Sequence, residues 1–281
     1  MAVHAVNRDA LHPRLHLGTS SFSHESWVGS FYPDGSKPAE FLTLYAGRYD
    51  TVEIDATFYR VPSKAQTRGW AAKVPDGFRI ALKVPQVVTH EKMLVDCDGE
   101  MKAFLEACDE MGDRLGPVLF QFQYFRRDAF ASVDAFLQRL APFLDTLPAG
   151  RRYALEVRNK GWVDAPLLDL LRRHGIAYAL IDHPWMPPAD DLVRKLDVVT
   201  ADFSYVRWLG DRKGIEARTD SWDRLIVDRT AEMERWVPTL ASLLERNIEL
   251  FGYFNNHYAG HAPGSIELLR RVWRERMGER A

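Results

Sequence analysis

Two cysteines, Cys97 and Cys108, are the only thiols in 281 residues. They form no CxxC pair and no Cys/His ligand spacing, so neither a disulfide framework nor a structural zinc is indicated. No apolar run reaches the roughly 20 residues that span a bilayer. The opening MAVHAVNRDALHPR lacks the apolar stretch of a secretory signal. Net charge is only −2, which excludes a global drive toward nucleic acid or anionic lipid and leaves room for a local basic pocket. Several motifs are missing. No GxGxxG opens a helix, no GxxxxGK[ST] occurs, and neither HxH nor HExxH appears. A cytoplasmic protein with no membrane partner and no nicotinamide or P-loop nucleotide signature is expected.

What the chain does contain is apolar material in a regular rhythm. Hydrophobic residues make up 46%, enough for a large core. Short apolar runs alternate with longer amphipathic ones. Strands are expected over 15–20, from 51, over 78–84, 117–122, 152–158, 176–182, within 198–210 and over 248–254. Helical spacing lies between them, over 39–49, 64–74, 99–115, 128–145, 164–175, roughly 220–246 and 265–277. Asp164 reads as an N-cap and Gly175 as the residue past a helix end. Prolines 184, 187 and 188 make the helix after strand six irregular or missing. Eight strands with intervening helices favour a (β/α)8 TIM-type barrel, an α/β fold, over an open sheet. Residues 1–14 read as a lead-in and 15–281 as a single domain.

A parallel barrel carries its chemistry where strands run into the following loops. There the strands offer Glu53 and Asp55, Lys83, Gln121, Glu156 and Arg158, Asp182, Arg207, and Asn255 with Asn256. Residues two apart share a strand face. Thr51, Glu53 and Asp55 therefore lie together, as do Ala154, Glu156 and Arg158, with the apolar residues between them turned toward the helices. Charge inside a barrel is costly unless paired, hydrated or used. Two readings follow: internal ion-pair ties, or a site.

Several segments resemble the DUF72, or YecE-like, family: GTSSF (18–22) with WVGSFYP (27–33), TVEIDATFYRVP (51–62), KVPQVVTH (83–90), LGPVLFQFQYF (115–125), ALEVRNKGWV (154–163), YVRWLGDRKG (205–214) and YFNNHYAGHAPGS (253–265). They occur in order through nearly every strand end. The resemblance implies a (β/α) barrel without an established biochemical role. Departures occur where the family usually has Asn-Ser after the second-strand Glu, here Asp55-Ala56; at Gln123, where Pro is usual; and at Asn159-Lys160-Gly161 before Trp162.

The expected activity is that of an acid–base or hydrolytic enzyme on a small anionic, phosphorylated or sugar-like substrate at the C-terminal mouth. Glu53, Glu156 and Asp182 are the candidate catalytic groups. Lys83, Arg158 and Arg207 are candidate anion contacts, with Asn255, Asn256, Tyr59, Trp27 and His90 as further substrate contacts. Alternatives are a divalent-metal hydrolase or isomerase using Glu53, Asp55, Glu156, Asp182 and His90 or His257; a nucleic-acid-processing enzyme, from the pairs Arg126-Arg127, Arg172-Arg173 and Arg270-Arg271; or a non-catalytic small-molecule binder. Gly210 and Gly214 follow strand seven and Gly260 and Gly264 follow strand eight; the second pair suggests backbone N–H groups placed for an anion at the start of the last helix.

Overall fold

The strands are short and two-faced, and this parity decides what fills the barrel. A computed structural model describes residues 10–278; the first nine residues of the expected lead-in lie outside them. The strands are β1 (Leu15–Thr19), β2 (Thr51–Ile54), β3 (Arg79–Lys83), β4 (Leu115–Gln121), β5 (Tyr153–Glu156), β6 (Ala177–Asp182), β7 (Phe203–Trp208) and β8 (Glu249–Phe254). Each pairs in parallel with its sequence neighbour from β2 to β8, and β1 pairs with β8. Ala81, Leu119, Ala154, Ala177, Ala179, Tyr205 and Tyr253 pack together inside the ring. The alternate residues, such as Val52, Leu155, Leu180, Val206 and Trp208, join the larger core under the helices.

The β1–β2 seam closes without a ladder. Gly18 brings the strands so close that a Cβ there would meet the Thr51 carbonyl oxygen at 2.2 Å. The buried Tyr45 hydroxyl bridges the gap: it accepts the Thr19 N–H at 2.8 Å and donates to the Thr51 carbonyl at 3.2 Å. It thereby pairs backbone groups that a ladder would otherwise satisfy.

The outer layer comprises α1 (Phe41–Ala46), α2 (Lys64–Ala71), α3 (Asp98–Asp109), α4 (Val133–Asp145), α5 (Ala165–Arg173), α6 (Ala189–Lys195), α7 (Arg212–Glu216), α8 (Thr230–Leu244) and α9 (Ala262–Met277). Asp164 caps α5 by accepting the Ala165 N–H at 2.8 Å, and Gly175 follows the helix at φ 62°. Two expectations change. The helix after strand six is present but short, seven residues. The helix expected from 220 begins at Thr230, because the Thr219 hydroxyl takes the Ser221 N–H at 3.1 Å, a local bond that competes with helix. Residues 217–229 instead run over the barrel end, where the Ile226 N–H meets the Ala259 carbonyl at 2.6 Å. Among the described residues no helix is long and apolar enough to cross a membrane. Cys97 and Cys108 are both buried and free.

Candidate active site at the barrel mouth

Parity sends Glu53, Glu156 and Arg207 into the lumen, all at most 3% exposed. Arg207 spans them. Its Nη2 donates to Glu53 Oε1 and its Nη1 to Glu156 Oε2, both at 2.7 Å. The second Glu53 oxygen accepts the Tyr205 hydroxyl at 2.6 Å, and the second Glu156 oxygen accepts Arg158 Nε at 2.5 Å. All four carboxylate oxygens are thus engaged. Burial by itself raises the Glu156 carboxyl, but Arg158 and then Arg207 outweigh it and hold it down to about 2. A carboxylate so held carries no proton at neutral pH. Glu53 and Glu156 are thereby joined in one buried tie through Arg207.

Above this layer opens a cavity of about 510 Å³. Arg207 and Arg158 reach its floor, and Asp55, Lys83, Gln121, Tyr59, Asn255 and Asn256 also line it. Asp55 and Lys83 sit differently from the charges below. The turn Asp55–Phe58 is fastened to the end of β3 by Thr57, whose hydroxyl accepts the Lys83 N–H at 3.1 Å and lies 2.6 Å from the Lys83 carbonyl. This places Lys83 Nζ 3.7 Å over the Phe58 ring. Among the described residues no carboxylate stands within ion-pair distance of Lys83, and no base within that distance of Asp55. Burial, reinforced by Glu53 and opposed by Lys83 and Arg207, raises Asp55 to about 6. Burial, reinforced by Arg207 and opposed by Glu156, Glu53 and Asp55, lowers Lys83 to about 8. One carboxyl and one amine of the mouth therefore titrate around neutrality, the range where proton transfer is most useful.

The remaining candidates divide. Tyr59 stands on the rim, 72% exposed. Trp27 does not cover the mouth: at 1% exposed it is packed among Phe31, Tyr32 and His261 and contributes only to the wall. His90 sits behind Phe58, with ring centroids 4.9 Å apart, and bonds Thr89 Oγ1 at 2.8 Å. Burial, then Lys83 and Arg158, push its ring down to about 4, so it is neutral. Asn255 holds His257, Oδ1 to Nδ1 at 2.6 Å. Asn256 accepts the Ala262 N–H at 2.9 Å, which occupies an N–H at the start of α9. The glycines of these loops serve close packing. A Cβ on Gly210 would meet the His257 carbonyl oxygen at 2.4 Å, and one on Gly260 would meet Ile226 at 2.6 Å.

Asp182 leaves the cluster altogether. Its strand points Ala177 and Ala179 inward, so Asp182 faces the helices, where it accepts Trp236 Nε1 at 2.7 Å and the Tyr258 hydroxyl at 3.3 Å. It lines a separate cavity of about 300 Å³ beside α6 and α8. The expected metal set is accordingly not assembled: among the described residues no three His, Cys, Asp or Glu side chains are grouped to hold an ion. The basic pairs are scattered too, with Arg172 on Asp169, Arg270 on Glu267 and Arg271 near Glu275. Sequence reasoning left Asp55 out of the catalytic set, although its two-residue spacing from Glu53 already put it on the same face. Phe58 and His183, which also reach this region, left no such signal.

Comparison with known proteins agrees with this architecture. The protein YecE of Escherichia coli O157:H7 is 27% identical over 173 residues, covering 60% of this chain and 59% of that protein. The chain thus spans under two thirds of that relative. YunF of Bacillus subtilis strain 168 is 24% identical over 260 residues, covering 85% of this chain and 90% of YunF. The solved structure of a DUF72 family protein from Thermotoga maritima superposes with a TM-score of 0.67 at 25% identity, covering 94% of this chain and 99% of the other. A DUF72 family protein from Enterococcus faecalis gives 0.67 at 22% identity, over 92% and 95%. The family model described as "Protein of unknown function DUF72" matches residues 16–280, and the chain belongs to that family.

Proposed function

We propose that the barrel mouth is the active site of an acid–base enzyme acting on a small anionic substrate, with Arg158 anchoring the anion and Asp55 moving the proton. One observation carries this reading: both oxygens of Glu53 and of Glu156 are taken, while Asp55 lines the mouth cavity with no ion pair among the described residues. The charge balance supports it. Arg158, Arg207 and Lys83 face Glu53 and Glu156, so with Asp55 protonated the mouth carries one positive charge in excess. An anion restores neutrality and favours the protonated Asp55, which is then the acid. Arg158, one-fifth exposed, has a planar fork suited to a carboxylate or phosphate.

Melting temperature in graded inorganic phosphate tests the reading, since a ligand of the folded state adds RT ln(1 + [L]/Kd). A rise that disappears in Arg158→Ala is expected. The substitution also strips a donor from the buried Glu156 carboxylate and should itself cost about 1–3 kcal/mol, so the phosphate shift is read against the variant's own melting temperature without phosphate. No rise with any small anion overturns the reading.

A further inference from the structure

We propose that Lys83 is a nucleophile that forms an imine with a small anionic carbonyl compound, a 2-oxo acid being the simplest example. The inference rests on the reading of the mouth as an anion site and names the substrate class for it. Three features of the geometry carry it. Lys83 is 8% exposed and lines the cavity, yet no carboxylate stands within ion-pair distance of it among the described residues. The oxygens that would pair with it belong to Glu53 and Glu156 and are held by Arg207, Arg158 and Tyr205. Arg207 and Arg158 are committed to Glu53 and Glu156, so the excess positive charge of the mouth rests on Lys83, and an iminium there would retain it. A buried amine beside another cation, with the Glu53 and Glu156 carboxylates bonded to other donors, is the arrangement that releases a neutral amine.

The neighbours suit the same chemistry. Asp55 stands just past the end of the adjacent strand, with Ile54 registered against Leu82, and lines the same cavity with no ion pair among the described residues. The Phe58 face, 3.7 Å from Nζ, favours a cation there, and an iminium is a cation as much as an ammonium is. Ser20 and Trp27 line the cavity as well, each burying a polar atom with no partner among the described residues, which leaves hydrogen-bonding capacity for a polar ligand.

The step balances without a further reactant. The Nζ lone pair attacks the carbonyl carbon, forming the C–N bond while the C=O π pair moves to oxygen. That oxygen takes a proton from the Asp55 carboxyl, and the resulting carboxylate takes one from the attacking nitrogen, giving a carbinolamine. The nitrogen lone pair then expels the hydroxyl, which leaves as water with the Asp55 proton. The product is an iminium on Lys83 facing an Asp55 carboxylate. That carboxylate is placed to remove a proton beside the imine carbon.

The test treats the full chain with pyruvate or glyoxylate and sodium borohydride, then locates reduced adducts by peptide mass spectrometry. Lactate and glycolate, which keep the anion and lack the carbonyl, serve as controls, and melting temperature is read on the same mixtures. With Lys83 brought to about 8, its neutral fraction at pH 7 exceeds that of an ordinary lysine by a factor on the order of 100. The Lys83 peptide should therefore be labelled at least about tenfold above exposed Lys64 and Lys102. Labelling should disappear in Lys83→Arg, which keeps the charge, and slow in Asp55→Asn. If 2-oxo and 2-hydroxy acids raise the melting temperature alike and Lys83 stays unlabelled, the imine is overturned and the anion site stands. Labelling spread evenly over the lysines also overturns it. If no anion shifts the melting temperature and nothing is labelled, both proposals fall together.

Discussion

Two layers of charge lie along the same strands, and they are built to opposite rules. In the lumen, Glu53, Glu156 and Arg207 are sealed from water and every carboxylate oxygen has a donor. At the mouth, just past the end of β2 and at the end of β3, Asp55 and Lys83 line an open cavity and, among the described residues, make no ion pair. The same residue types are thus fastened to one another in one layer and free of ion pairs, among the described residues, in the next. The difference lies in partners, not in burial alone: Glu156 is more deeply buried than Asp55, yet its carboxyl is held down and that of Asp55 is raised.

Arg207→Met breaks the lower layer most severely. It strands two buried carboxylates and should destabilise the fold by about 3–5 kcal/mol, the usual cost of removing one partner from a buried ion pair. Urea denaturation reads this directly, and wild-type stability would mean the lumen charges are not mutually dependent. Glu156→Gln comes next, with a loss of about 2 kcal/mol. The two arginines on Glu156 are the reason a stability loss is expected.

The acid limb of the stability curve sharpens the contrast. The Glu156 carboxyl is lowered in the fold to about 2 from its ordinary 4.5. Its contribution is therefore complete above pH 4.5 and fades as pH falls toward 2. The melting-temperature gap between wild type and Glu156→Gln should narrow across that window, and a gap independent of pH would count against the tie.

Asp55→Asn runs the other way and is smaller. The Asp55 carboxyl is raised to about 6 from 3.8, so the native state loses stability as pH rises between those values and levels off above 6. The amide should thus stabilise the protein by about 1 kcal/mol at pH 8, a figure discounted for partial solvent access, and have almost no effect at pH 4. A destabilised Asp55→Asn at pH 8 would place Asp55 in the fastening layer. Stability gained where function is lost is the common mark of a working residue.

Much of the fold was legible without coordinates, because strand parity and helix spacing are local properties. Glu53, Lys83, Glu156, Arg158 and Arg207 were all found by asking which polar residues end a strand. The same parity, applied to Ala177 and Ala179, would have turned Asp182 outward. Trp27 shows the opposite limit: a tryptophan in a loop near the mouth can cover a site or pack beneath it, and spacing does not distinguish the two.

By itself the sequence determined the eight-strand barrel, the strand ends at which the polar residues gather, and the faces on which the charges lie. These follow from period-two alternation and short-range helix signals. Only the tertiary structure decided which charges are spent on each other. Arg207 meets Glu53 across 154 positions and Glu156 across 51, and a pairing over such separations exists only once the ring has closed. That closure leaves Asp55 and Lys83, among the described residues, as the two charged groups of this cluster without an ion pair, and on the proposed reading these two carry the reaction.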